Sequence, residues 1–146
     1  MSLNDILDQL GFAEVDLGLD PCAKAVSKKD NDWMVVLLEP SPEQAEGQLQ
    51  AFRDAVNARY PVPKALRLRS PHMLLVCLTL GPSPELRDWV ERHRTSTIWG
   101  GEVFHPVLVE LGSGVVTAPA AYSTVERMRR AMFRPESIGH AFLSFS

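Results

Sequence analysis

The string Pro-Ser-Pro-Glu occurs twice, inside "LEPSPEQ" at 38–44 and inside "LGPSPEL" at 80–86. Each copy stands between an apolar run and a run of mixed charge. Ser is a favoured helix N-cap because its oxygen accepts an orphaned amide hydrogen bond of the first turn. Pro at the next position loses nothing there, since its missing N–H would have gone unpaired. Gln44, three residues after Ser41, completes a capping box by reaching back to the cap's own amide. Leu86 stands at the same place after Ser83, so the second box is incomplete.

The helix after Ser41 puts Ala45, Leu49, Phe52, Val56 and Tyr60 on one face, and Pro61 and Pro63 end it. The helix after Ser83 runs over about 84–94, with Leu86, Trp89, Val90 and His93 on one face. The apolar runs in front, "WMVVLL" at 33–38 and "MLLVCLTL" at 73–80, show little alternation. That is the pattern of strands covered on both faces, or of parallel neighbours. The chain therefore holds two strand-to-helix units, at 33–59 and 73–94.

Around these units the pattern is weaker. Leu3, Ile6, Leu7 and Leu10 recur at helical spacing, and Gly11 offers a left-handed C-cap. Residues 13–19 alternate apolar and polar, which predicts a half-exposed strand. Residues 20–32 read as a polar, mobile loop. Residues 64–70, "KALRLRS", read as an exposed edge strand. Residues 103–118 predict a β-hairpin turning at Gly112-Ser113-Gly114. Ser123 to Glu126 forms a capping box for a C-terminal helix with Val125, Met128 and Met132 on its stripe, and Pro135 stops it. The expected fold is α+β, or α/β: one mixed sheet of about five or six strands with helices packed on it. The block 33–111 can be written βαββαβ, an order compatible with a ferredoxin-like plait.

A chain of 146 residues fits one domain spanning 1–146 and needs neither metal nor disulfide for its core. Its two cysteines are too few for a disulfide framework or a zinc site, and Cys77 reads as a small buried hydrophobe. No apolar run reaches a membrane span, and Asp5 and Asp8 carry the wrong charge for a secretory leader, so a cytoplasmic protein is expected. A net charge of −3 gives no global field favouring nucleic acid.

The chemistry-bearing residues form no nucleophile motif and no metal-ligand spacing, and no cofactor is implied. Two adjacent helix starts would attract an anion. Here the prolines remove donors, Glu43 and Glu85 already place negative charge in the first turns, and no glycine-rich loop admits a phosphate. Glu102, His105 and Glu110 read as polar decoration of a half-exposed strand, with His105 on the face opposite both glutamates. Three readings of function remain. The first is a non-enzymatic interaction domain that contacts a protein partner or a second copy, with Phe142, Leu143 and Phe145 of the apolar tail at the interface. The second binds nucleic acid or an acidic partner through Arg67, Arg69, Arg127, Arg129, Arg130 and Arg134. The third is a small enzyme whose site, drawn from Trp99, His105, Glu110 and His93, assembles only in three dimensions.

Overall fold

The computed structural model describes residues 1–20, 22–67, 70–93, 101–119 and 135–146. In chain order the elements are α1 (Leu3–Leu10), β1 (Ala13–Glu14), β2 (Ala23–Lys29), β3 (Asp32–Leu38), α2 (Pro42–Asn57), β4 (His72–Thr79), α3 (Pro84–Glu91), β5 (Val103–Glu110), β6 (Val115–Thr117) and α4 (Pro135–Ala141). Short 3-10 turns occupy Lys64–Leu66 and Phe142–Ser144. The fold is α+β, built on one mixed sheet whose six strands lie in sequence order.

The two unalternating runs are β3 and β4, and they pair in parallel, Trp33 beside Met73 and Leu38 beside Leu78. β5 continues the parallel set on the far side of β4, with Met73 beside Phe104. β1, β2 and β6 are antiparallel to their neighbours. Both crossovers step the same way along the sheet, so one handedness places α2 and α3 on a single face. Ala45, Leu49, Phe52 and Val56 of α2, with Leu86 and Val90 of α3, meet Trp33, Val35, Leu37, Met73, Leu75, Cys77, Phe104 and Leu108 there. The opposite face, with Met34, Val36, Leu74, Val76, Leu78, Val107 and Val109, is covered by Ile6, Leu7, Phe12 and Phe142. Burial on both sides explains why these strands do not alternate. It also pushes the Cys77 thiol up to about 12, in keeping with a small core hydrophobe.

Several expectations are corrected. Residues 20–32 are not a loop: β2 runs through them and turns at Asp30, whose φ is +52°, into β3. β2 is rich in lysine because it lies next to the sheet edge, where charge blocks unwanted strand pairing. The strand predicted at 13–19 shrinks to the two residues of β1. Asp16 Oδ1 accepts the Gly18 amide at 2.8 Å, and Gly18 takes a φ of +66°, which peels the chain away from the sheet. Residues 64–66 form a 3-10 turn rather than an edge strand, and Leu68 and Arg69 lie outside the described residues. With its six strands in sequence order and β3, β4 and β5 parallel, the sheet is not a ferredoxin-like plait.

The hairpin at 103–118 forms as expected, β5 against β6. The C-terminal helix expected around Val125 lies outside the described residues. From Pro135, where a stop was expected, the chain is helical to Ala141. Gly139 lets α4 lie close on the sheet, since a Cβ there would come within 2.8 Å of Val116 and 3.0 Å of Val107. Phe142, expected at an interface, is fully buried in the second core of its own chain, with Leu143 and Phe145 packed against that core. Phe142→Ala is therefore expected to destabilise the fold by about 3–5 kcal/mol, read as a lower urea midpoint; an unchanged midpoint would contradict this packing.

Candidate functional site

β5 carries a carboxylate at each end of the parallel set. All eight residues of β5 are buried, as is Glu102 just before it. The strand is thus not half exposed, as its polar residues had suggested. An ionised carboxylate is tolerated in such a place only with charged partners and hydrogen bonds.

Glu110 is 0% exposed. Arg87 of α3 grips it in a fork, with Nη2 at 2.8 Å from each oxygen and Nε at 3.1 Å from Oε1. The Ser83 amide donates to Oε2 at 3.1 Å. This resolves the doubled motif. Ser41 caps α2 with its own hydroxyl, accepting the Gln44 amide at 3.1 Å, while Gln44 Oε1 accepts the Ser41 amide at 2.9 Å. Ser83 makes no side-chain cap bond, and Glu110 of β5 accepts its amide, the place that Gln44 fills at Ser41. Between them, Glu39 Oε1 accepts the Leu80 amide at 2.6 Å, and the Leu80 carbonyl accepts the Gly112 amide at 2.9 Å. The loops at the carboxyl ends of β3, β4 and β5 are thereby stitched into one rim.

Glu102 closes the other end. Arg53 Nη2 donates to it at 2.6 Å, Asn57 Nδ2 at 2.7 Å and Lys64 Nζ at 2.9 Å. Arg67 adds bonds to Asn57 Oδ1 and the Gly101 carbonyl, both 2.7 Å. Gly101 holds a φ of +81° against the Lys64 backbone, where a side chain would collide. Burial by itself would raise the Glu102 pKa, but the bonds from Arg53, Asn57 and Lys64 outweigh it and hold the carboxyl at about 2.

The predicted site residues fall apart in space. His93 packs at a tilt against Trp89, with ring centroids 4.8 Å apart, and makes an edge-to-face contact with Phe104. Burial lowers its pKa, with Glu46 opposing and Arg53 adding to the shift. His105 is buried beside Leu74 on the opposite face of the sheet. Glu110 lies five residues further along the strand, roughly 16 Å at ~3.3 Å per residue. Trp99 lies outside the described residues, as do Arg69, Arg127, Arg129, Arg130 and Arg134. Arg67, expected on an exposed edge, is engaged within the amino-end cluster. Among the described residues no group of three or more His, Cys, Asp or Glu could hold a metal ion, and no helix is long and apolar enough to cross a membrane.

The clusters that sequence reasoning missed are the Arg53–Asn57–Lys64–Glu102 knot and the role of Glu110. Their signal was a glutamate at each end of an otherwise apolar strand. Because the Glu102 pKa is lowered from 4.5 to about 2, its contribution to stability is complete above pH ~4.5 and is lost as pH falls toward 2. Glu102→Gln is expected to cost about 3–5 kcal/mol at pH 7, with the gap to wild type narrowing as pH falls from 5 to 3. Urea unfolding across that range checks it; a gap independent of pH would contradict the assignment. No family model, no curated protein and no solved structure matches this chain.

Proposed function

We propose that this chain is a binding domain that works through the rim at the carboxyl ends of its parallel strands. Its contact is with protein, a second copy of the chain being the first partner to test. The observation that carries this reading is Leu80. The residue is 70% exposed, yet both of its backbone groups are fixed, to Glu39 and to Gly112. Val115, also exposed, opens β6 just after the turn whose Gly112 amide bonds Leu80. Apolar surface that is already rigid loses little conformational freedom on contact, so more of its burial appears as affinity. The ion pair of buried Glu110 with half-exposed Arg87 supports the surface by fixing the start of α3.

Sedimentation equilibrium across the micromolar range tests the reading. The mass is expected to rise toward that of two chains. Leu80→Asp is expected to weaken association at least about tenfold, the effect of ~1.4 kcal/mol, without lowering the unfolding midpoint. A mass fixed at one chain, or a dimer indifferent to Leu80→Asp, removes self-contact through this rim.

A further inference from the structure

The two ends of the parallel strands expose the same kind of apolar residue among charges of opposite sign. At the carboxyl end stand Leu80, 70% exposed, and Val115, 42% exposed. The same end carries the exposed carboxylates Glu39, Glu43 and Glu85, the last two in the first turns of α2 and α3. Arg87 at this end is already paired with Glu110, and Lys24 of β2 is exposed on the flank.

The amino end lies about 23 Å away along β5, at ~3.3 Å per residue. There the turn after α2 exposes Leu66 by 70% and Val62 by 44%. Its charges are the cations Arg59, Lys64 and Arg67. Arg53 and Lys64 both bond Oε1 of Glu102, at 2.6 and 2.9 Å, so two cations share one negative charge. Arg67 joins them through Asn57. Glu102 itself is 0% exposed, which leaves the surface with a positive surplus. The β2–β3 turn at this end is balanced, with Lys28 and Lys29 against Asp30 and Asp32. The turn after α2 is held in shape, as the rim is. Pro61 and Pro63 fix φ, the Leu66 amide donates to the Pro63 carbonyl at 2.9 Å, and Arg67 Nε donates to the Val62 carbonyl at 3.1 Å.

The sequence keeps the two signs apart. Residues 33–52, from β3 into α2, carry Glu39, Glu43 and Glu46 and no Lys or Arg. Residues 55–84 carry Arg59, Lys64, Arg67 and Arg69 and no Asp or Glu.

We propose that copies of this chain dock head to tail, the rim of one seated on the Val62–Leu66 turn of the next. Leu80 and Val115 meet Leu66 and Val62, while Glu39, Glu43 and Glu85 face Arg59, Lys64 and Arg67. The inference rests on the rim being a self-contact and names the surface it meets. One chain cannot join its own ends across the length of its sheet, so the match is made between copies. A rim pressed on a second rim would set like carboxylates against each other, which electrostatic complementarity disfavours. A head-to-tail pair still shows one open rim and one open turn, so growth continues to a closed ring or an open array.

The test is sedimentation equilibrium of the full chain and of two variants at exposed leucines, Leu80→Asp and Leu66→Asp. Each variant alone is expected to associate at least about tenfold more weakly than wild type, with an unchanged urea midpoint. Mixed in equal amounts, they are expected to associate with wild-type strength and to stop at two chains. The intact turn of Leu80→Asp then takes the intact rim of Leu66→Asp. Raising salt from 0.1 to 1 M cuts the screening length from ~10 to ~3 Å and is expected to weaken the wild-type contact severalfold. Association sensitive to Leu80→Asp but indifferent to Leu66→Asp keeps the rim and overturns the head-to-tail contact. So does a mixture of the two variants that stays at one chain, or a contact indifferent to salt. A wild-type mass fixed at one chain overturns it together with the rim reading.

Discussion

A carboxylate that leaves water must bring its partners with it. In this chain that rule acts at Glu110. The strand that carries it is sealed by helices on one face and by the terminal segments on the other, so the charge can be satisfied only by what the next element brings. α3 brings Arg87 and the Ser83 amide. Their geometry sets where α3 begins, how the loop after β4 approaches β5, and how Leu80 is displayed. The pair adds less to stability than its Coulomb energy suggests, because Glu110 loses its hydration and Arg87, with a side chain 40% exposed, loses part of its own. It fixes position more than it adds stability. Removing Arg87 would leave a fully buried carboxylate without its charged partner, which is why the pair constrains the fold so tightly.

Glu102 repeats the device at the opposite end of the parallel set, with donors from α2 and from the turn after it. Between them the two glutamates tie α2, α3 and β5 together above and below one apolar layer. The Arg53 guanidinium, 4.0 Å from the centre of the Phe104 ring, joins the polar knot to that layer. The cation lies over the ring face, where the quadrupole attracts it. Ionic and apolar parts of the structure therefore share residues rather than occupying separate regions.

How far the sequence revealed this depends on how local the signal was. β3 and β4 were legible because burial on both faces leaves no alternation, and α2 because its capping box is complete within four residues. The 103–118 hairpin was legible from its turn. β2 was not: its lysines suit the second strand from an edge, and its apolar support comes from β3, which no local window contains. The turn at 64–66 was misread because Leu66 and Leu68 alternate with arginines, while the residue that decides the local structure, Glu102, is far along the chain. Glu102 and Glu110 themselves stood in plain view inside an apolar strand. Their partners, at 53, 57, 64, 83 and 87, could not be assigned without the sheet order.

Two copies of one motif thus begin two helices by different chemistry: Ser41 caps its own helix with its hydroxyl and has its amide held by Gln44, whereas Ser83 makes no side-chain cap bond and has its amide held by Glu110 of β5. Paired alanine substitutions at the two serines, compared by urea unfolding, measure this most directly. Ser41→Ala should lose about 1 kcal/mol, the typical worth of a side-chain cap, whereas Ser83→Ala should fall within about 0.5 kcal/mol of wild type, the range of substitutions that break no such feature. Equal losses at the two positions would contradict the account, since Ser83 would then be capping α3 with its own hydroxyl.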